Sequence, residues 1–222
     1  MVQLVNICEI LLITERKIEN NVFDENIQNF LQGFQSNSLS QKEKAVQVYL
    51  KIRDGWRYNA YQINFNKEAF RASEISQRSE GHCIDKAILL TTCLRGLGIP
   101  ARVHLAKVKN HIAVEILMEK FGTNELTPHG VVDVFLAEKW VKSSPAFNAS
   151  LCEKCNVAPL DFDGKSDSIF QEYNRDGNEF MEYVEDYGHF EDLPFDFILQ
   201  NLQEHYGQFF NRKEGQVRLD IS

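Results

Sequence analysis

The chain has 222 residues, 43% of them hydrophobic and 25% charged, the composition of one folded domain with its own core, with or without appendages. Its formal charge of -8 excludes nucleic acid or an anionic membrane as the main partner, because phosphate recognition needs clustered Lys and Arg. No uninterrupted apolar run reaches the roughly 18 residues of a membrane span, so no membrane partner is predicted.

In chain order, the opening stretch MVQLVNICEILLITERK has no basic segment and is interrupted by Glu9, which argues against a signal peptide. Apolar positions between residues 4 and 32 suit one or two helices, and residues 1–40 read as a helical extension. Ser40 is placed to cap the next helix, QKEKAVQVYLKIRDGW, which has Ala45, Val48, Tyr49 and Ile52 at helical spacing and stops near Gly55. A loop-rich passage leads to GHCIDKAILLTTCLRGLGIPAR. Here Ile84 to Leu97 are apolar nearly all round, predicting a buried helix ended by Gly98 and Pro100. The period then changes: ARVHLAKV, HIAVEILM, GVVDVFLA and KWVK read as strands. Helix followed by short strands predicts an α+β domain with an antiparallel sheet over residues 41–150. Residues 151–222 are acidic and aromatic and read as a mainly helical extension packed on that core, with helices near 167–186 and 195–210.

The five cysteines, Cys8, Cys83, Cys93, Cys152 and Cys155, are too few and too irregular for a disulfide framework, which points to a reducing cytoplasm. Cys83 stands at the expected start of the buried helix. Free backbone N–H groups and the helix dipole favour a thiolate there and offer donors to an oxyanion. Gly81, two residues earlier, leaves room for a substrate backbone. Cys93 falls on the helix among Leu89, Leu90 and Leu97, as core. A base for Cys83 is sought among six histidines; His82 is adjacent but expected to point away, and His129 opens the run HGVVDVFLAEKWVKSSPAFN.

These two runs resemble the motifs of the transglutaminase-like superfamily: Gly-x-Cys opening a helix that ends in Leu-Arg-x-Leu-Gly-Ile-Pro-Ala-Arg, then a His opening a strand that leads to a Trp. VYLKIRDGWRYNAY is similar to that family's upstream element. The resemblance implies a papain-like or transglutaminase-like core, with the nucleophile at the N-terminus of a buried helix packed on the sheet, and flanking helices. It makes Cys83 the nucleophile and His129 the base. The family's third member, an orienting Asp four residues after the Trp, falls here on Ser144, and its aromatic residue after the His falls on Val131. Ser144 takes the orienting role. Asp133 lies about 13 Å from His129 at strand rise, too far to replace it. His111, in HIAVEILM, is a weaker match because no Trp follows.

The implied activity is a thiol-dependent amide hydrolase acting on a peptide or protein through a thioester. Two alternatives stand beside it: a catalytically impaired module that binds a peptide or protein, and acyl transfer to an amine. No cofactor and no metal are expected; Cys152-Glu-Lys-Cys155 is one CxxC without a second ligand pair, and NRDGNEF has Tyr183 where a calcium loop needs Glu.

Overall fold

The computed structural model describes residues 22–61, 66–207, 210–213 and 216–219. The helical expectation before residue 22 lies outside the described residues. Helix α1 (Glu25–Leu31) starts where the Asp24 carboxylate accepts the Asn26 N–H at 2.9 Å. Helix α2 (Gln41–Gly55) starts at a reciprocal capping box: Ser40 Oγ accepts the Glu43 N–H, and the Glu43 carboxylate accepts the Ser40 N–H. Its face of Ala45, Val48, Tyr49 and Ile52 is wholly buried. Short strands β1 (Arg57–Tyr58) and β2 (Glu80–Gly81) pair in parallel, with α3 (Ala72–Ser76) between them in the chain.

Helix α4 (Cys83–Gly96) is the centre of the molecule. Every residue from Cys83 to Arg95 is buried, so it packs on the sheet on one side and on α2 and α3 elsewhere. Burial contributes about 1.5–3 kcal/mol for each of its Ile and Leu side chains. Gly98, at φ +72°, ends it by sending its N–H back to Arg95 O. Strands β3 (Ala101–Asn110), β4 (Glu125–Leu136), β5 (Lys139–Ser143) and β6 (Met181–Phe190) form one antiparallel sheet in the order β5-β4-β3-β6. Val103 and Leu105 of β3 and Val132 and Val134 of β4 share the core of α4. The α+β architecture and its buried helix are as the sequence predicts.

Two predicted elements are corrected. HIAVEILM is not a strand: Asn110 Oδ1 accepts the N–H groups of Ile112 and Ala113 at 2.9 and 2.7 Å and turns the chain into helix α5 (Val114–Phe121). Leu117 and Phe121 are buried on one face, Ile116 and Met118 are exposed on the other, and Gly122 closes the helix at φ +71°. The helix predicted over 167–186 is also absent. An irregular stretch leads instead into β6, an edge strand whose exposed acids the sequence presents like a solvated helix face. Helices α6 (Ala149–Lys154) and α7 (Phe195–Tyr206) and a hairpin of β7 (Phe210–Lys213) and β8 (Gln216–Leu219) are the other α-helices and strands described. Among the described residues no helix is long and apolar enough to cross a membrane.

Candidate active site

Cys83 is the first residue of α4, and His82 is its N-cap with extended backbone (φ -74°, ψ 167°). The Asp85 carboxylate accepts the His82 N–H at 3.0 Å, which fixes where the helix begins. Gly81 is buried, and a Cβ there would lie 3.3 Å from the Asp85 Cβ. The space attributed to a substrate backbone at Gly81 is therefore taken by Asp85.

His82 does not point away from Cys83. An N-cap side chain folds back over the first turn, and its Nδ1 accepts the Ile84 N–H at 3.5 Å. That course carries it past the first helical residue, so the same Nδ1 lies 3.3 Å from Cys83 Sγ. With Nδ1 accepting, the thiol is the donor of this contact. Capping logic applied to His82 would have found it.

Strand β4 meets the helix mouth at Gly130. A Cβ on Gly130 would come within 2.7 Å of Cys83 O and 2.9 Å of Ile84 Cα, so only glycine allows this approach. Pro128 O lies 4.0 Å from Sγ. His129, between these two contact residues, is 1% exposed. Its Nε2 stands 3.3 Å from Ser144 Oγ, and Ser144 Oγ–H donates to Gly130 O at 3.4 Å. With its proton engaged, Ser144 accepts from Nε2–H, which leaves the lone pair on Nδ1. That Nδ1 is buried and has no hydrogen-bond partner among the described residues.

Asp133 and His111 lie elsewhere. Asp133 pairs with Arg102 Nε and His104 Nδ1, each at 3.0 Å. His111 faces Glu182 at 3.1 Å. Asn148 Oδ1 accepts the Tyr58 N–H at 2.9 Å, so it holds Tyr58. Tyr58 in turn stacks on His82 (centroids 6.2 Å apart) and meets Phe147 edge-on at 4.9 Å, while Phe147 lies 6.4 Å from His129. Lys86, one turn into α4, is fully buried and donates to Arg53 O, Trp56 O and Ala146 O at 2.8, 2.9 and 2.7 Å. It ties the end of α2 to the loop that follows Ser144.

The thiol of Cys83 and the rings of His129 and His82 rest neutral. Burial pushes the Cys83 thiol up to about 12, against the pull of the Gly130, Ile84 and Cys83 N–H groups. Full burial shifts a pKa by up to about 3–5 units, whereas a helix N-terminus supplies roughly 0.3–1 kcal/mol, less than one unit. The thiolate expected from helix position is thus outweighed by desolvation. Burial alone lowers His129 to about 4. His82 keeps a partly exposed edge and is pushed the same way, by burial and then by His129. Cys93 is fully buried with a raised pKa, as core. Cys152 is buried and Cys155 half-buried, both as free thiols.

No curated protein matches the chain. A solved structure from Cytophaga hutchinsonii, named "Putative Cysteine Protease", shares 15% identity at a TM-score of 0.47, covering 62% of this chain and 42% of its own. The chain thus spans less than half the length of that protein. The family model of the transglutaminase-like superfamily matches residues 28–145, more than half of the chain, and takes in α2, Cys83, the whole of α4, His129 and Ser144. With a Gly-x-Cys helix start seated against a His-bearing strand inside that match, the chain belongs to the transglutaminase-like superfamily.

Proposed function

We propose that the protein is a thiol-dependent amide hydrolase acting on a peptide or protein substrate through Cys83 and His129. The observation that carries this reading is the buried Nδ1 of His129, which has no hydrogen-bond partner among the described residues and keeps its lone pair because Ser144 holds Nε2. Cys83 Sγ attacks the amide carbonyl while His129 Nδ1 takes the thiol proton. The Cys83 N–H at the helix start is the donor for the oxyanion. Collapse breaks the C–N bond, the proton passes from His129 to the leaving nitrogen, and a thioester remains. Water then adds under the same base, and the S–C bond breaks. An amine in place of water would give acyl transfer. Because thiol and ring both rest neutral, proton transfer accompanies attack, and the thiol turns from His82 to His129 to begin. Free thiols at all four described cysteines are in keeping with a reducing, cytoplasmic setting.

Incubation with a peptide and isopeptide amide library, followed by mass spectrometry of the protein, tests the proposal. Amine release with an acyl adduct on Cys83, both lost in Cys83→Ala and His129→Ala, is the expected result. Turnover that survives Cys83→Ala would sink it.

A second reading, a module that binds a peptide or protein without turning it over, draws on one observation. Cys83 is 2% exposed and its thiol faces His82, with a serine where the family has an acid. Partner capture unchanged by Cys83→Ala, without turnover of any library member, favours it.

A further inference from the structure

A cavity of about 290 Å³ lies next to the small space that borders Cys83, and nothing in the mechanism above uses it. Folded interiors hold few voids larger than a water molecule, and small-molecule sites begin near roughly 300 Å³. The walls are apolar: Leu117, Leu126, Phe147, Val157 and Phe180 contribute, and among the described residues no Asp, Glu, Lys, Arg or His borders it. Two asparagines do, but both are committed internally. Asn59 binds Glu80 and the Tyr61 N–H, and Asn110 binds the N–H groups of Ile112 and Ala113.

The cavity adjoins the candidate active site across shared walls. It shares Tyr58, Ala60 and Leu126 with the space of about 20 Å³ directly over Cys83. Two rings connect it to the chemistry: Tyr58 stacks on His82, and Phe147 lies against His129. Its rim carries Ile116 and Tyr61, which are 55% and 42% exposed, large apolar groups left for an occupant to cover.

We propose that this cavity receives a large uncharged side chain, aromatic or branched aliphatic, next to the scissile amide, making apolar peptides the substrate class. The inference rests on the hydrolase reading for its chemistry and on the cavity alone for its selectivity. A charged side chain would enter without a partner and lose its hydration, whereas an apolar one is desolvated favourably.

The test uses the full chain carrying Cys83→Ala, in which no acyl transfer can occur, titrated by NMR with the acetyl amides of Phe, Leu, Gly, Glu and Lys. The Phe and Leu amides are expected to bind at least about tenfold more tightly than the Gly amide, and the Glu and Lys amides no more tightly. Cys155→Trp fills the cavity from a half-buried position, and Ile116→Asp places a charge on its exposed rim; each removes the preference while circular dichroism stays unchanged. Equal affinity for all five amides, or a preference that survives both substitutions, overturns the inference. Apolar-selective binding with no turnover by the unaltered chain upholds the cavity and overturns the hydrolase. Turnover without side-chain preference does the reverse.

Discussion

His104 and His129 stand on adjacent strands of one sheet, with Val131 opposite the first and Ala106 opposite the second, and both are almost fully buried. Their company differs. His104 has Asp186 at 2.8 Å from one ring nitrogen and Asp133 at 3.0 Å from the other, and those acids also meet Lys142 and Arg102. Arg102 lies in turn 4.0 Å over the Trp140 ring. His129 has one serine hydroxyl at 3.3 Å from Nε2, and its Nδ1 has no hydrogen-bond partner among the described residues. The sheet therefore supplies carboxylates to a histidine, but to His104 and not to His129. A carboxylate fixes a ring and stabilises its positive charge; a serine fixes the ring and leaves the charge unsupported.

The acids follow the same division. Burial raises Asp133, but His104 and Arg102 together hold it below the usual carboxylate range. Asp186 is held at about 2 against burial, by the Gly188 N–H, His104 and Lys142. At His129 nothing opposes burial. The two regions consequently lose stability in different pH windows. Between about 6.5 and 4 the unfolded chain binds a proton that folded His129 refuses, so the His129 contribution to stability falls as pH drops there. The raised Asp85 carboxyl works against it, taking up its proton in the folded chain below about 6. The depressed carboxylates keep their contribution until pH falls below about 4 and lose it from there downwards.

The largest effect expected from this contrast is in the pH profile of the thiol. Iodoacetamide labelling of Cys83, mapped by mass spectrometry, rises about tenfold per pH unit, about a thousandfold from pH 6 to 9, because the thiolate fraction grows all the way to a pKa of about 12. A plateau below pH 8 would mean that the site holds an ion pair after all, and the contrast breaks. Next in size, Asp133→Ala leaves half-buried Arg102 and buried His104 without their shared partner and destabilises the fold by about 2–3 kcal/mol in urea unfolding. The variant also loses part of the stability decline below pH 4 and keeps the His129 decline between 6.5 and 4. Smallest, Ser144→Asp gives His129 the kind of partner His104 has. It raises the ring pKa from about 4 and speeds Cys83 labelling at pH 7 by about tenfold, whereas Ser144→Ala costs about 1 kcal/mol of stability and leaves the profile's slope unchanged.

Much of this arrangement was legible beforehand because it rests on runs long enough to have one period. The helix from Cys83 to Gly96 announced itself by apolar residues all round and by Gly98 and Pro100 after it. Ser144 was found by counting from Trp140, and the fold brings it to His129. HIAVEILM was misread because Ile112, Val114, Ile116 and Met118 alternate as a strand would, while Val114, Leu117 and Phe121 also keep helical spacing. The Asn110 side chain decided between them. Strand β6 was misread because an edge strand with outward acids lacks the apolar alternation that marks a half-buried one. The contact between His82 and the thiol was missed because adjacent residues point apart in a regular element, and a helix cap is not one. Desolvation of the site is a property of α7 and α5 closing over it with Tyr206, Leu202 and Phe121, brought from far along the chain.

Lys86 gives the protein a reporter of its own unfolding. Its amine is fully buried and clamped by three carbonyls from two distant segments, so an acylating reagent reaches it only when α2 and the loop at Ala146 have parted. Exposed lysines react in the native state and record surface; this one records global opening. A hydrolase that cycled its thiol into solvent by local breathing would label Cys83 long before Lys86, and the ratio of the two rates measures how local that breathing is.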